Sequence, residues 1–486
     1  MTIEGLNDPH LVTALIVAES EYIRASHRLA STRETLNTFA PINHFPDEIL
    51  AEIFRWCLPE LRFSQDEHVL MTAPVKRVTP LLFSGICRRW RRIAITTPVL
   101  WRNVELYVSI RRYKSQTSVL ENWLIYSGDL SLTILVNVCA QEDLKYWSRY
   151  PPVKIAELLS QHSARWHIAY VAIPINAFSE IPSVPFPRLA SLTFRTSSYR
   201  NAVTNMFATA DQIRSIEFLS TAPGYFTFPK GKIQILRAHY VPAQDCYRVM
   251  CLSPELVDCH LESPYLKPDV AFPEILVMQQ LERLYVTQYP HESIGLFLDA
   301  ITVPSVRSFE FGAQAHEVPH AQIISMIQRS GCLLKSLVLR FIEMDDTDLM
   351  AILRLTPAVT EFRILIMGID QGRTTTNRLL HTLTPLHSSL EGRACLLPCL
   401  EFLEFEAPYI YDEEAMVDML ASRWRKAGYV DGNLICAKLQ RVYLGNNGTT
   451  IHSTITEQLQ KLIDEGMEIE MSRMTFAPPF EIFVDD

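Results

Sequence analysis

The chain has no Cys-x-x-Cys pair, no long apolar run and no excess of basic charge. Its ten cysteines (Cys57, Cys87, Cys139, Cys246, Cys251, Cys259, Cys332, Cys395, Cys399 and Cys436) are scattered over 486 residues. A disulfide scaffold is short and cysteine-dense, so these read as free thiols of a reducing compartment. No apolar run approaches the ~20 residues needed to cross a bilayer. Leu11 to Ala18 is apolar but short, and the charges before it are Glu4 and Asp8 rather than basic, unlike a secretory leader. Without secretion the acceptor triplet Asn447-Gly448-Thr449 carries no weight. Basic residues number 45 against 54 acidic, a net charge of −9, so a broad footprint for nucleic acid is missing. Only 16 glycines and 29 prolines exclude collagen-like and low-complexity classes. The expected location is cytoplasmic and/or nuclear, with no membrane and no nucleic-acid partner.

Catalytic signatures are equally scarce. There is no G-x-G-x-x-G, no G-x-x-x-x-G-K-[ST] and no G-x-S-x-G, so nucleotide cradling and serine-elbow hydrolysis lack local support. His316-Glu317-Val318-Pro319-His320 fits H-E-x-x-H, the spacing that lets two histidines face one zinc ion from a helix. Pro319 inside it costs a helix interior roughly 3 kcal/mol, and the motif follows an expected strand, so a solvated loop is the preferred reading. Cys395 and Cys399, with His387 nearby, lack a fourth ligand at standard spacing. Cys246, Cys251 and Cys259 read as buried packing. No metal, no cofactor and no enzyme activity are expected.

What is present is ordinary globular material, 48% hydrophobic and 20% charged. Its length allows two to four domains or one repeat array. Residues 6–39 read as a helix, with Asp8-Pro9 as a start and Leu11, Leu15, Ala18, Tyr22, Ala25, Leu29 and Leu36 along one stripe. It suits a packing helix or a short coiled coil, ended by Pro41. A second helix opens at Phe45-Pro46-Asp47-Glu48, with the acids at its positive end. Residues 60–78 read as a polar loop. A third helix runs from Pro80 to Thr97-Pro98, with Leu81, Leu82, Ile86, Cys87, Trp90, Ile93 and Ala94 on one broad face. Arg88, Arg89, Arg91 and Arg92 read as its solvated face rather than a nucleic-acid patch. A strand is expected over Val104–Val108.

From residue 130 to 445 one pattern recurs: apolar, two residues, apolar, one residue, apolar. It stands at Leu189/Leu192/Phe194, Ile213/Ile216/Phe218, Ile233/Leu236/Ala238, Leu256/Cys259/Leu261 and Leu281/Leu284/Val286. It continues at Val306/Phe309/Phe311, Leu334/Leu337/Leu339, Val359/Phe362/Ile364, Leu400/Leu403/Phe405 and Leu439/Val442/Leu444, with weaker copies at Leu130 and Trp166. Most copies start 20 to 28 residues apart; the last two follow at 41 and 39. The closing alternation is that of a strand with one buried face. Short helical patterns lie between, such as Ile294–Ile301, Ile323–Gln328 and Thr347–Leu355. A strand plus a return every 20–29 residues is the leucine-rich repeat signature, here without its usual Asn or Cys at fixed phase. Residues 451–466 read as a capping helix.

The segment Ile42–Leu106 resembles an F-box. The resemblance rests on Phe45-Pro46-Asp47-Glu48-Ile49-Leu50-Ala51-Glu52-Ile53-Phe54, on Ile86-Cys87-Arg88-Arg89-Trp90-Arg91-Arg92 and on Thr97-Pro98-Val99-Leu100-Trp101. Phe45 in place of the family's leucine, and the long loop, look like the F-box-like proteins of mushroom-forming fungi, which also carry a preceding helix and a degenerate repeat array. The resemblance implies a substrate receptor of a cullin-based ubiquitin ligase of the SCF type. Helix anchors would dock on a Skp-type adaptor, and the repeats would hold a protein substrate. The motif match places Phe45, Pro46, Ile49, Leu50, Ile86, Cys87 and Trp90 as adaptor contacts, with Ile53, Phe54 and Ile93 in the core. With the apolar triplets inward, Arg237, His239, His260, Glu262, Arg283, Tyr285, Arg340 and Arg363 face outward for the substrate. The expected class is α+β: an all-α F-box unit followed by an irregular α/β leucine-rich repeat solenoid. Expected boundaries are 1–40 for the first helix, 41–107 for the F-box-like domain, 108–475 for the array and 476–486 for a tail. The chain would be a monomer within a hetero-complex. The alternative is an interaction scaffold outside any ligase, with a degenerate F-box.

Overall fold

The computed structural model describes residues 9–38, 41–59, 61, 78–138, 144–195, 204–268, 271–288, 294–313, 318–342, 344, 346–366, 377–385, 395–406, 413–425, 428–430, 433–446 and 453–473. Two compact units divide the chain: Met1–Leu135 with Cys139–Glu142, and Val136–Val138 with Asp143–Asp486. The expected polar loop lies almost wholly outside the described residues, as do the glycosylation triplet and the tail.

In the first unit α1 spans Pro9–Thr38, α2 Asp47–Cys57, α3 Pro80–Ile86 and α4 Arg88–Ile95. Strand β1 (Asn103–Val108), helix α5 (Tyr113–Tyr126) and most of β2 (Leu132–Val138) complete it. The expected third helix is two helices. Cys87 between them is extended, and its Sγ accepts from Trp90 N at 3.4 Å, capping α4. A thiol is a weak acceptor, yet it occupies one donor that the start of a helix leaves free. The core packs on aromatic faces. Phe54 stacks on Phe83 at 4.4 Å, and Trp90 tilts onto Phe54 at 4.7 Å. Buried Trp101 donates Nε1–H to Ala94 O at 2.7 Å, and Trp123 donates to Trp101 O at 2.8 Å, so neither indole pays for burial with a lost hydrogen bond. The stripe on α1 is uncovered: Leu15, Tyr22 and Leu29 are all exposed.

The second unit begins with α6 (Leu144–Arg149), α7 (Val153–Gln161), β3 (Trp166–Ala172), β4 (Ser191–Phe194), β5 (Ser215–Leu219) and β6 (Ile235–His239). Next come α8 (Ala243–Cys251), β7 (Asp258–Glu262), β8 (Leu276–Val277), β9 (Arg283–Gln288), α9 (Gly295–Asp299) and β10 (Ile301–Thr302). Then follow β11 (Ser308–Ala313), α10 (His320–Ser330), β12 (Ser336–Ile342), α11 (Asp346–Leu355), β13 (Glu361–Ile366) and α12 (Asn377–Leu383). The last are β14 (Phe402–Glu406), α13 (Glu413–Arg425), β15 (Gly428–Val430), β16 (Asn433–Cys436), β17 (Arg441–Asn446), α14 (Ser453–Asp464) and β18 (Glu468–Arg473).

The fold class departs from the expectation. Among the described residues the main sheet counts fourteen strands, and twelve lie whole in the second unit in the order β3-β4-β5-β6-β7-β9-β11-β12-β13-β14-β17-β18. Each of these neighbours pairs parallel. Helices connect many of them, so the architecture is α/β, built on one long parallel sheet, and not an α+β chain ending in a leucine-rich repeat solenoid. Counting the periods placed the strands, but it carried no information on how backbone hydrogen bonds join them. That joining defines the class.

The strands themselves fall on the recurring triplets. Leu192, Ile216, Leu236, Cys259, Leu284 and Phe309 are register partners in succession, and each is at most 1% exposed. Phe194, Phe218, Ala238, Leu261, Val286 and Phe311 form a second buried row two residues on. The copies at Leu130 and Trp166 belong to β2 and β3. Beyond the last expected copy at Leu439, β18 adds a further strand beside β17.

Three successive strands end alike. Ser220, Tyr240 and Ser263, each directly after β5, β6 and β7, adopt φ of 50°, 54° and 49°. Ser220 N donates to His239 O and Tyr240 N to Glu262 O, both at 2.8 Å. The left-handed residue carries the ladder one bond further before the chain turns away, at a cost that glycine would avoid.

Candidate functional site

Two surfaces gather the residues singled out by sequence, one on each unit. In the first unit, the inward sides of α2, α3 and α4 place Leu50, Phe54, Phe83, Ile93 and Ala94 in the core. Leu50 is fully buried, Cys87 and Trp90 are half-buried, and Ile53 is half-buried. Phe45, Pro46, Ile49 and Ile86 face solvent. Leu81, Leu82 and Trp56 join them, with Trp56 at 79% exposure. Within α3, which ends before Cys87, Leu81 and Leu82 turn outward while Phe83 points in. Reading one continuous helix hid this.

Asp47 organises the same surface. Its Oδ1 accepts from Arg89 Nε at 2.9 Å and Nη2 at 2.7 Å, and its Oδ2 accepts from Arg92 Nη2 at 2.9 Å. Arg89 also donates to Phe45 O at 2.6 Å, and Arg91 Nε to Ser84 O at 2.7 Å. The hydrogen bond from Arg89, with Arg92 adding to it, holds the Asp47 carboxyl below its ordinary value. Arg89, Arg91 and Arg92 therefore clamp helices together, although Arg91 and Arg92 also remain exposed.

In the second unit, the side of the sheet opposite the buried rows carries the polar set. Register partners in one row are Thr193, Glu217, Arg237, His260, Tyr285 and Glu310. The row continues through Val338, Arg363, Glu404, Tyr443 and Glu470. His239, Glu262 and Arg340 stand on the same side two residues on, and Arg283 two residues back. All eight residues expected to face a substrate thus share one side of one sheet.

That side is cross-linked by charge. His239 Nδ1 lies 2.7 Å from Glu262, and its Nε2 lies 3.6 Å from Glu217, an ion-pair distance rather than a hydrogen bond. Burial alone would lower the imidazole, but Glu217 and Glu262 outweigh it and raise His239 to about 9. The imidazoles of His239 and His260 hold Glu262 at about 2. His260 stacks on Tyr285 at 3.7 Å, and burial pushes that phenol up to about 12. Further along, Arg340 Nε meets Glu310 at 2.5 Å, and Arg363 bridges Glu361 and Glu404 while its guanidinium lies 4.9 Å from the Phe402 ring centroid. At the exposed margin Arg283 pairs with Asp258 at 3.1 Å. Pairing of this kind fixes side chains before any partner arrives, which reduces the ordering cost of binding.

Other motifs stay apart. α10 begins at His320 with Pro319 as its cap, so Val318 and Pro319 of the H-E-x-x-H run stand before the helix and only His320 lies in it among the described residues. His316, Glu317 and His387 lie outside the described residues. His320 Nε2 instead faces Asp348 at 3.3 Å. Among the described residues no group of three or more His, Cys, Asp or Glu side chains is placed to hold a metal ion, and no helix is long and apolar enough to cross a membrane. Comparison with protein-family models gives no match to this chain, and comparison with curated proteins gives none either.

Proposed function

We propose that this chain is the substrate-recognition subunit of a cullin-type ubiquitin ligase, docking a Skp-type adaptor through its first unit and a protein substrate through its second. The observation that carries the reading is the uncovered apolar set on α2, α3 and the turn before them. Phe45, Ile49, Leu81, Leu82 and Ile86 lie within one small helical unit and are 45–54% exposed. Apolar side chains gathered in this way mark a protein contact more often than a solvent surface. Of the seven residues that the motif resemblance named, Phe45, Ile49 and Ile86 belong to this set and Pro46 is exposed beside it, while Cys87 and Trp90 are half-buried and Leu50 is buried. The polar side of the sheet supports the second half of the proposal, because mixed charge with Tyr285 and Tyr443 suits a protein surface. The subunit would contribute proximity, and the ubiquitin chemistry would belong to its partners.

The test is co-purification with a Skp-type adaptor, comparing wild type with Leu82→Glu plus Ile86→Glu. Both positions are exposed, so the variant should fold as judged by circular dichroism. Binding by wild type and loss in the folded variant supports the reading. A well-folded wild type that retains no adaptor overturns it and leaves a protein-interaction scaffold outside any ligase.

A further inference from the structure

Helix α1 runs for 30 residues, Pro9–Thr38, about 45 Å at 1.5 Å per residue. Of residues 12–32, Ser20 alone is half-buried and all the others are exposed. A helix that packs on nothing and is not alanine-rich is marginal in water, because most helical stability in proteins comes from covering an apolar face. The stripe on α1 follows a heptad, with alternate steps of three and four residues. Leu15, Tyr22 and Leu29 occupy one core position of that heptad, and Ala18, Ala25 and Thr32 occupy the other. The first set is 69%, 75% and 54% exposed. The two positions differ in size, since the first is always large and the second always small. Thr32 suits the small set because its Oγ1 donates to Arg28 O at 2.9 Å, which satisfies the hydroxyl within its own helix.

We propose that α1 pairs with α1 of a second copy of this chain as an antiparallel two-stranded coiled coil, so that the protein is a homodimer in place of the single copy that the resemblance implied. The inference concerns self-association and stands apart from the adaptor reading. Size decides the direction. In an antiparallel pair each residue at the first core position faces one at the second core position of the other helix. With the two-fold axis between residues 23 and 24, the layers are Leu15 on Thr32, Tyr22 on Ala25 and Leu29 on Ala18. Each sets large against small, and symmetry repeats each layer once. A parallel, in-register pair instead sets Leu15, Tyr22 and Leu29 each on its own copy, and Ala18 and Ala25 likewise. Such layers alternate between wide and narrow, and two helices at one spacing leave voids at the alanines. Charge agrees with size. In the antiparallel pair Glu21 flanks the core beside Arg28 of the second copy, two residues or about 3 Å away along the axis, and the pair occurs twice. In the parallel pair Glu21 faces Ser26 and Glu19 faces Ala14, so neither acid meets a base there.

The experiment measures the mass of the full chain by sedimentation equilibrium across the micromolar range. Wild type is expected at twice the 55.7 kDa of one chain, and Leu15→Glu plus Leu29→Glu at once that mass. Both positions are exposed, so the variant keeps its fold; near-ultraviolet circular dichroism checks this through tryptophans that all lie outside α1. Direction is read by charge. Glu21→Arg alone and Arg28→Glu alone should each lose the dimer. Glu21→Arg plus Arg28→Glu in one chain should recover it, and so should an equimolar mixture of the two single variants. Leu82→Glu plus Ile86→Glu should remain dimeric, which separates this contact from the apolar set on α2 and α3; loss of the dimer there overturns the proposal. A monomeric wild type overturns it too. If that monomer co-sediments with phosphatidylcholine vesicles, the stripe, together with exposed Ile16, Val17 and Ile23, belongs to a lipid surface instead. A dimer that survives Leu15→Glu plus Leu29→Glu, or that ignores the single charge reversals, also overturns it.

Discussion

Arg89 binds Asp47 through two donors, at 2.9 and 2.7 Å, and so ties the start of α4 to the start of α2. The two residues are 42 apart in the chain, and nothing in their local sequence pairs them. Because Asp47 also takes Arg92, one carboxylate holds the start of α2, and with it exposed Ile49, against α4.

On the proposed function, Asp47→Ala is expected to weaken adaptor binding more than it lowers the melting temperature. The carboxylate is solvent-accessible, and its folded value lies below the unfolded one. Its contribution is present above the ordinary carboxylate range and lost as pH falls through the folded value. Adaptor capture and thermal melting at pH 7, measured on one preparation, check this. A large melting shift with unchanged capture would sink it.

Core and surface aromatics should separate cleanly. Phe54→Ala removes a fully buried ring stacked on Phe83 and Trp90, and is expected to cost about 3–5 kcal/mol in urea unfolding. Trp56→Ala, on the same helix but 79% exposed, should stay within roughly 0.5 kcal/mol of wild type. Similar losses for both would mean that Trp56 is covered in solution.

The His239–Glu262 pair has a defined pH window. His239 sits at about 9 against an ordinary 6.5, so its contribution is whole below pH 6.5 and is lost as pH rises through 9. Glu262 sits at about 2 against 4.5, so its contribution is whole above pH 4.5 and is lost as pH falls through 2. The difference in urea midpoint between wild type and His239→Gln should be largest between pH 4.5 and 6.5 and shrink on either side. A pH-independent difference would show that the imidazole acts by packing alone.

Ser220→Gly is expected to stabilise the second unit by about 1 kcal/mol, because Ser220 is exposed and holds φ at 50°. Chemical denaturation reads the gain directly. No gain would place the cost of the left-handed turn elsewhere.

Arg423→Met should be among the most damaging single changes. It takes the guanidinium donors from the carbonyls of Leu383, Leu396 and Leu397, which keep only the Cys395 thiol and Leu400 N beside them, a loss of about 1–3 kcal/mol for each hydrogen bond not replaced. Expression and urea unfolding measure it. A variant as stable as wild type would show that water reaches these carbonyls.

Legibility differed sharply between features. The strands could be read because alternation is local. A residue two positions along a strand points the same way whatever lies beside it, so Leu284, Val286, Phe309 and Phe311 were recognisable as inward and Arg283 and Tyr285 as outward. Of the three residues placed in the helical core from the motif, Phe54 and Ile93 are buried and Ile53 is only half-buried. Cys87 was misread, since Leu81 to Ala94 satisfies a helical face well enough to mask a break. Leu50 shared a motif with exposed Ile49, but only packing shows that it is fully buried in this chain. The α+β class failed because a repeat period says where strands recur and is silent on how they join.

The sequence by itself determined which segments become strands and helices and which of their sides turn inward, since both follow from spacing along the chain. Only the tertiary structure decided that the strands join as one parallel α/β sheet, that Asp47 meets Arg89, and that the buried Arg423 guanidinium rests against the carbonyls of Leu383, Leu396 and Leu397. Those are contacts between distant segments, and hydrogen-bond and charge satisfaction selects them only once the chain has collapsed.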